Sequence, residues 1–234
     1  MNSIGEGLWQ AARLVATLNP DLVEITALSL RVSLGATVVA SCIGLPLGAW
    51  LAVNRFPARR FVIAILNALM GLPPVVVGLI VYVLFSRSGP LGVLGLLFTP
   101  TAMVIAQVII ITPIIASVAH QAIRDLWADY HDLLISLQAT RLQRIKTLLW
   151  DGRRALMTAS LAGFGRAIGE VGAIMIVGGN IDHATRVLTT AIALETGKGE
   201  FDMALALGFV LIGLAILVNL GLHFISRTER GARW

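Results

Sequence analysis

The sequence predicts an all-α protein: a polytopic membrane bundle of five transmembrane helices, with one amphipathic helix ahead of the first span and another between the third and fourth. Three observations predict it. First, 57% of the 234 residues are apolar and only 13% charged, with a mean hydropathy of +0.85. Soluble domains run at roughly 45–50% apolar and about 25% charged, and could not hide this much apolar surface behind so little charge. Second, the apolar residues collect in runs near the ~20 residues that a spanning helix needs. Third, the basic residues sort to one side of those runs. Together these exclude a soluble enzyme, a disordered chain, and a collagen-like or disulfide-stapled fold.

Residues 1–21 place Ile4, Leu8, Ala11, Val15 and Leu18 at helical spacing, with Glu6, Gln10, Arg13 and Thr17 elsewhere. With Trp9 as an anchor, this predicts an amphipathic helix lying on the outer membrane surface; the alternative is a frayed tail. Glu6 precedes every basic residue, so no cleavable signal peptide is expected. The transmembrane domain then covers 22–226. Its first span, about 25–53, includes the charge-free stretch 34–53, with Arg31 in its first turns. The second, 61–85, is uncharged throughout, and the third, 100–118, is cut from the uncharged but overlong stretch 91–119. The fourth, 155–177, carries only Arg166 and Glu170, and the fifth, 203–225, carries no charge. Residues 227–234 form a tail.

Charge sets the orientation. Arg55, Arg59 and Arg60 follow span one; Arg124, Arg141, Arg144, Lys146, Arg153 and Arg154 follow span three; Arg227, Arg230 and Arg233 follow span five. Only Arg13, Arg87, Arg186 and Lys198 fall on the opposite side. By the positive-inside rule the N-terminus is expected outside and the C-terminus in the cytoplasm.

Between spans three and four, 120–154 contains no Gly or Pro until Gly152. Leu126, Tyr130, Leu133, Leu134 and Leu137 recur at a helical period, with Asp125, Asp129 and Asp132 early and Arg141, Arg144 and Lys146 late. A cytoplasmic amphipathic helix follows. Its apolar face either packs on the ends of the spans or docks into a groove on a partner.

Prolines mark the spans: Pro46 between Gly44 and Gly48, Pro73 and Pro74 after Gly71, and Pro113 within span three. Each removes a backbone hydrogen bond and tends to kink its helix. Arg166 and Glu170 stand four apart, on one helical face. Their pairing lowers the cost of charge at this depth, about 16 Å in from Ala155 at 1.5 Å per residue. The connection 180–202 reads as a solvated loop of mixed charge. Cys42 is the sole cysteine, so no internal disulfide or Cys-based metal site is possible. His120, His131, His183 and His223 are scattered, and Asp182-His183 is too small a cluster for a metal. Gly197-Lys198 is followed by Gly199, so there is no P-loop. With no nucleophile elbow and no HExxH, no enzyme is expected, which sets aside a membrane-embedded enzyme or assembly factor. The basic residues are too dispersed to suggest nucleic acid.

Span three, the amphipathic segment, and a fourth span opening with small residues resemble the type-1 inner-membrane permease of ABC importers, over about 22–227. In that family the cytoplasmic segment carries a Glu-Ala-Ala…Gly pattern that couples to the ATPase. Residues 129–140, Asp-Tyr-His-Asp-Leu-Leu-Ile-Ser-Leu-Gln-Ala-Thr, keep its register, with Gln138 where the pattern has Gly, and Trp150-Asp151 replacing a usual Leu-Pro. Residues 164–173, Phe-Gly-Arg-Ala-Ile-Gly-Glu-Val-Gly-Ala, ending in Gly178-Gly179-Asn180, resemble the permeases of molybdate, tungstate and sulfate importers. Residues 185–192, with Glu195-Thr196 and Lys198-Gly199, resemble the tungstate branch.

The resemblance implies a permease in the bacterial inner membrane that carries a tetrahedral oxyanion, tungstate foremost, from periplasm to cytoplasm. Molybdate, sulfate or another small solute such as an amino acid are the alternatives. It implies a second copy of the chain, two cytoplasmic ATPase subunits holding ATP and Mg, and a periplasmic oxyanion-binding protein; no cofactor is expected in the chain itself. The implied ATPase-coupling residues are Asp129, His131, Asp132, Leu133, Leu134, Leu137, Gln138, Ala139 and Arg141. Arg166 and Glu170 either line the anion's path or form an internal pair. Asp182, Arg186 and Lys198 are candidates for docking the binding protein.

Overall fold

The computed structural model describes residues 4–230, with side chains over 9–221. Among the described residues it is all helical: ten α-helices, one 3-10 turn at Gly92–Leu94, and no strand. The helices are α1 (Ile4–Ala16), α2 (Pro20–Val53), α3 (Arg59–Leu69), α4 (Pro74–Phe85), α5 (Pro100–Ser136), α6 (Arg141–Asp151), α7 (Arg153–Ile168), α8 (Gly172–Gly178), α9 (Leu188–Lys198) and α10 (Phe201–Arg230). Three of them, α2, α5 and the Phe201–Gly221 part of α10, are each long and apolar enough to cross a membrane; counting each bent pair α3–α4 and α7–α8 as one span gives up to five.

The expected spans 61–85 and 155–177 are therefore not single helices. α3 and α4 are bent by 96° at their break, and α7 and α8 by 62°. The first break has a plain cause. Gly71 is a poor helix former, and Pro73 and Pro74 cannot donate to a preceding turn, so Pro74 opens a new helix at N1 instead. The second falls where Gly165, Gly169 and Gly172 cluster. Pro46 and Pro113, by contrast, lie inside unbroken helices.

α5 also corrects an expectation. The stripe expected on a separate cytoplasmic helix begins on the same helix as the expected span 100–118: α5 runs without a break from Pro100 to Ser136 over 37 residues, about 55 Å at 1.5 Å per residue. α2 starts earlier than expected because Asn19 caps it. The Asn19 Oδ1 accepts from the Asp21 and Leu22 N–H groups at 3.0 and 3.4 Å, and Pro20 takes the first helical position.

The chain divides into two compact units. Unit 1 comprises Met1–Ala36, Pro73–Gln107 and Ala167–Val218. Its core joins Ala11 of α1, Leu22 of α2, Leu188 and Ala191 of α9, and Ala206 and Leu207 of α10. α1 is seated on this core through Ala11, Leu14 and Val15. Trp9 stays exposed, with the Arg13 guanidinium 5.9 Å above its ring. The side chains of Ile4 and Leu8 lie outside the described residues. α4 meets α8 so closely that a Cβ on Gly78 would stand 2.7 Å from the Ala173 Cα.

Unit 2 comprises Thr37–Leu72, Val108–Arg166 and Asn219–Trp234. One core gathers Ala49, Ala52 and Val53 of α2, Ala119, Ile123 and Leu134 of α5, Leu148 of α6 and Leu156 of α7. A second packs Leu51, Leu66 and Ala116. Polar ties reinforce these contacts: Ser41 Oγ donates to Ser160 Oγ at 2.9 Å, and Ser117 Oγ to Asn67 Oδ1 at 2.7 Å. The Arg59 guanidinium donates to the Leu51 carbonyl at 2.7 Å and lies 3.3 Å from His120 Nε2. The expected tail 227–234 begins within the α10 backbone; its side chains and residues 231–234 lie outside the described residues.

Candidate functional site

In unit 2, the candidate coupling segment is a helix, a tight turn and a helix. Ser136 ends α5, and Gln138 turns the chain at φ +49. This is the left-handed region that favours glycine. The turn expected of a glycine is made here by glutamine, and local hydrogen bonds hold it. The N–H of Gln138 donates to the Ile135 carbonyl at 2.9 Å, and that of Ala139 to the Leu134 carbonyl at 3.1 Å. Thr140 then caps α6: its side chain accepts from the Gln143 N–H, and its own N–H donates to Gln143 Oε1 at 2.7 Å. That reciprocal arrangement stabilises a helix start.

The leucine stripe divides across this turn. Leu126, Tyr130 and Leu134 pack into the unit 2 core, with Leu134 6% exposed. Leu133 is 55% exposed and Leu137 67%, with Ile135 and Leu142 also open. Packing and presentation of apolar surface, alternatives in the sequence, are shared out among different residues of the helix–turn–helix segment. Asp129 and Asp132 are exposed, Asp132 accepting at 2.8 Å from His131 Nδ1. Ala139 is half-buried and Arg141 exposed.

In unit 1, residues 167–191 wind into a compact polar knot. α7 ends at Ile168, so Glu170 belongs to a non-helical link and not to the helix that carries Arg166. The continuous helical face expected for the two residues is absent, although each has interaction partners. Glu170 is buried. Its Oε1 accepts from the Ala173 N–H at 3.3 Å, in the first turn of α8, and its carbonyl accepts from Thr189 Oγ1 at 2.8 Å. Arg166 is half-buried in the last turn of α7.

The knot continues through Thr185, fully buried, whose hydroxyl donates to the Gly178 carbonyl at 2.6 Å and accepts from the Ile181 N–H at 3.0 Å. Ser29 Oγ accepts from the Leu188 N–H at 2.7 Å. Gln107, on α5, donates through Nε2 to the Ala167 carbonyl at 2.9 Å, while its buried Oε1 has no partner among the described residues. Half of 180–202 is consequently not a solvated loop: Val187 through Ala191 are buried, and α9 supplies an ordered helix. Ser29, Gln107, Thr185 and Thr189 were not identified from sequence. A polar side chain inside a charge-free run is the signal that marks Ser29 and Gln107; nothing local marks the threonines.

The three candidate docking residues lie around this knot. Asp182 is exposed, and its Oδ1 accepts from Arg186 Nη1 at 2.7 Å; Lys198 donates to Glu195 at 2.8 Å. Asp182 and Arg186 thus pair with each other and, with Glu195 but without Lys198, line a cavity of about 390 Å³ that also takes in Asp21, Glu24 and His183. His183 Nδ1 lies 3.0 Å from Glu24 Oε2. The hydrogen bond to Glu24 chiefly, then the Glu24 and Asp182 charges, raise the His183 pKa above its ordinary 6.5. A raised pKa means that protonated His183 is favoured in the folded loop. The tie is at full strength below the ordinary pKa and is lost as pH rises through the raised value. Hydrogen exchange of 180–187 is expected to be slower at pH 5 than at pH 8 after correction for intrinsic rates, and the excess should vanish in His183→Ala. No group of three or more potential metal ligands occurs among the described residues.

With this geometry in hand, similarity to known proteins narrows the reading. Residues 44–230 match the family described as binding-protein-dependent transport system inner membrane component. The tungstate uptake system permease protein TupB of Peptoclostridium acidaminophilum is 38% identical, over 94% of this chain and 96% of that one. A probable anion ABC transporter permease protein of Haloferax volcanii is 41% identical, over 88% of this chain and 92% of its own. The inward-facing MetNI methionine ABC transporter superposes with a TM-score of 0.74 at 20% identity, over 91% of this chain and 97% of that one, which establishes the shared fold. The chain belongs to the binding-protein-dependent transport system inner membrane components, and is a transport component rather than an enzyme.

Proposed function

We propose that the chain is the permease subunit of an ATP-driven importer that carries a tetrahedral oxyanion, tungstate foremost, from periplasm to cytoplasm. The observation that carries this reading is the 38% identity, over 94% of this chain, with a tungstate uptake permease. In this reading the chain crosses the membrane five times, two crossings being the bent pairs α3–α4 and α7–α8. The N-terminus is outside and the C-terminus in the cytoplasm, as the distribution of basic residues favours, and α1 lies at the outer surface. Two copies work with two cytoplasmic ATPase subunits, which hold ATP and Mg, and with a periplasmic oxyanion-binding protein.

The parts then have distinct tasks. The end of α5, the turn at Gln138 and the start of α6 form the coupling element; exposed Leu133 and Leu137 supply its apolar anchors and Asp129, His131, Asp132 and Arg141 its polar rim. Leu134 and Ala139 hold the turn on the unit 2 core. Nucleotide state in the ATPase biases two arrangements of the permease through this element. Asp182, Arg186 and Lys198 contribute to the surface that receives the binding protein. Arg166 and Glu170, near mid-membrane, either meet the anion or hold the bundle together.

Uptake of tungstate into cells lacking their own high-affinity system, complemented with this chain and its ATPase and binding protein, tests the reading; molybdate and sulfate are measured alongside. Accumulation of methionine instead of any oxyanion would reject it. Arg166→Lys and Glu170→Gln distinguish the two roles of the pair. A conduit role predicts reduced uptake at unchanged membrane abundance, whereas loss of abundance alone assigns the pair to packing. Cysteine placed at Ser136 should react with impermeant maleimide only in inside-out vesicles, and reaction in whole cells would invert the topology.

A further inference from the structure

Unit 2 contains a cavity of about 270 Å³ where the end of α2, the last turns of α5 and the start of α6 meet. Its charged lining is basic: Arg55 after α2, and Arg141 and Arg144 on α6, with His131 and Trp127 from α5. No carboxylate lines it. Asp132, beside the lining residue His131 in the chain, is fully exposed and is engaged by that histidine at 2.8 Å. Among the described residues no ion pair is formed by Arg55, Arg141 or Arg144.

Two of these arginines also stand where a helix disfavours them. Arg141 is the first residue of α6 and Arg144 the fourth, and the first turn has no acidic residue. The N-terminal end of a helix carries about half a positive charge, so cations there are opposed and an anion is favoured. Arg144 is nevertheless fixed in place: its Nε donates to the Ala139 carbonyl at 2.8 Å and its guanidinium lies 5.8 Å over the Trp127 ring. That leaves the terminal amino groups of a pre-oriented guanidinium available. Three cations converging without a counter-ion repel one another, and the arrangement is relieved by one ligand type, a compact polyvalent anion. Arginine forks match tetrahedral oxyanions by paired N–H donation.

We infer that this cavity binds a phosphate-like tetrahedral anion through Arg55, Arg141 and Arg144. The anion is either free in solution or the phosphate of an acidic phospholipid, since basic pockets between spanning helices also receive headgroups. Bound there, it ties the end of α2 to the α5–α6 turn. The binding site stands independently of the transport role; only the consequence that occupancy stiffens the coupling element rests on that reading.

Binding is measured on the full-length chain in nanodiscs without ATPase or binding protein, so failure of the transport reading leaves the result unaffected. In phosphatidylcholine discs, inorganic phosphate is titrated by calorimetry and by thermal unfolding. A saturable response there identifies a free anion. If phosphate is silent but discs containing phosphatidylglycerol raise the unfolding temperature, the ligand is a headgroup. In either case the double variant Arg55→Gln/Arg141→Gln should weaken the response at least about tenfold, since two guanidinium donors of charge-assisted hydrogen bonds are lost. Ile135→Glu, at a partly exposed lining position, supplies an internal carboxylate and should compete with the ligand, while Ile135→Gln should not. This pair decides the matter if the arginine variants do not accumulate. No response to phosphate or to phosphatidylglycerol in the wild type, or equal responses in wild type and Ile135→Glu, overturns the inference.

Discussion

Gly48→Val is expected to abolish accumulation of the protein in the membrane. A Cβ at Gly48 would stand 2.5 Å from the Ala116 carbonyl oxygen, 2.8 Å from the His120 nitrogen and 2.9 Å from the Ala119 Cβ. Two of these are backbone atoms of α5, so no rotamer change can move them aside. Gly44, one turn earlier, meets Ile115 and the Ala116 nitrogen at 3.1–3.2 Å. α2 thus presents glycines four residues apart to α5, the spacing by which membrane helices bring their backbones close. Overpacking costs about 1–3 kcal/mol where side chains can adjust; here α2 and α5 must separate, opening the core around Ala49, Ala119 and Ile123. Against a total stability of about 5–15 kcal/mol, that is a large fraction. Gly208→Ala is the control: a Cβ there meets nothing within 4 Å, and the better helix propensity of alanine should leave abundance unchanged or slightly raised. Quantitative immunoblotting of membranes reads both, and normal levels of Gly48→Val would show that the contact yields.

What could be read from the chain, and what could not, follows from how far each feature depends on distant residues. The apolar runs are legible because hydropathy is a sum over neighbours. The break after Met70 was half legible: Gly71, Pro73 and Pro74 announce a kink, but only the folded chain turns one expected span into two helices bent by 96°. α9 was hidden because Thr189, Thr190, Gly197 and flanking charges read as loop, while its burial depends on Ser29, which accepts from the Leu188 N–H across 159 residues. The leucine stripe on α5 gave the correct period but not the division of labour, since Leu133 and Leu134 differ only in which way the helix happens to face the unit 2 core. Gln138 illustrates the opposite case. The register of the turn was readable although its usual residue was missing, because the hydrogen bonds to Leu134 and Ile135 are made by backbone and tolerate a side chain at φ +49.

That exposed division makes the second large effect specific. Leu133→Asp and Leu137→Asp should each leave membrane abundance near wild type yet reduce ATP-dependent uptake to near background. Both side chains are more than half exposed, so the folded chain loses little by the change. A partner that buries a leucine gains about 1.5–3 kcal/mol from it, and burying an unpaired carboxylate in its place costs more. Losing several kcal/mol at an anchor shifts the docked population by orders of magnitude. Leu134→Asp must behave differently: 6% exposed within the unit 2 core, it should lower abundance first, with uptake falling only in proportion. Uptake per unit of inserted protein therefore separates the neighbours, collapsing for Leu133 and Leu137 and holding for Leu134. Basal ATP hydrolysis by the assembled complex provides the independent reading, because an uncoupled anchor leaves the ATPase active while transport stops. Full uptake in Leu133→Asp and Leu137→Asp would remove the end of α5 and the turn after it from any docking role and leave these exposed leucines facing lipid or a second copy of the chain.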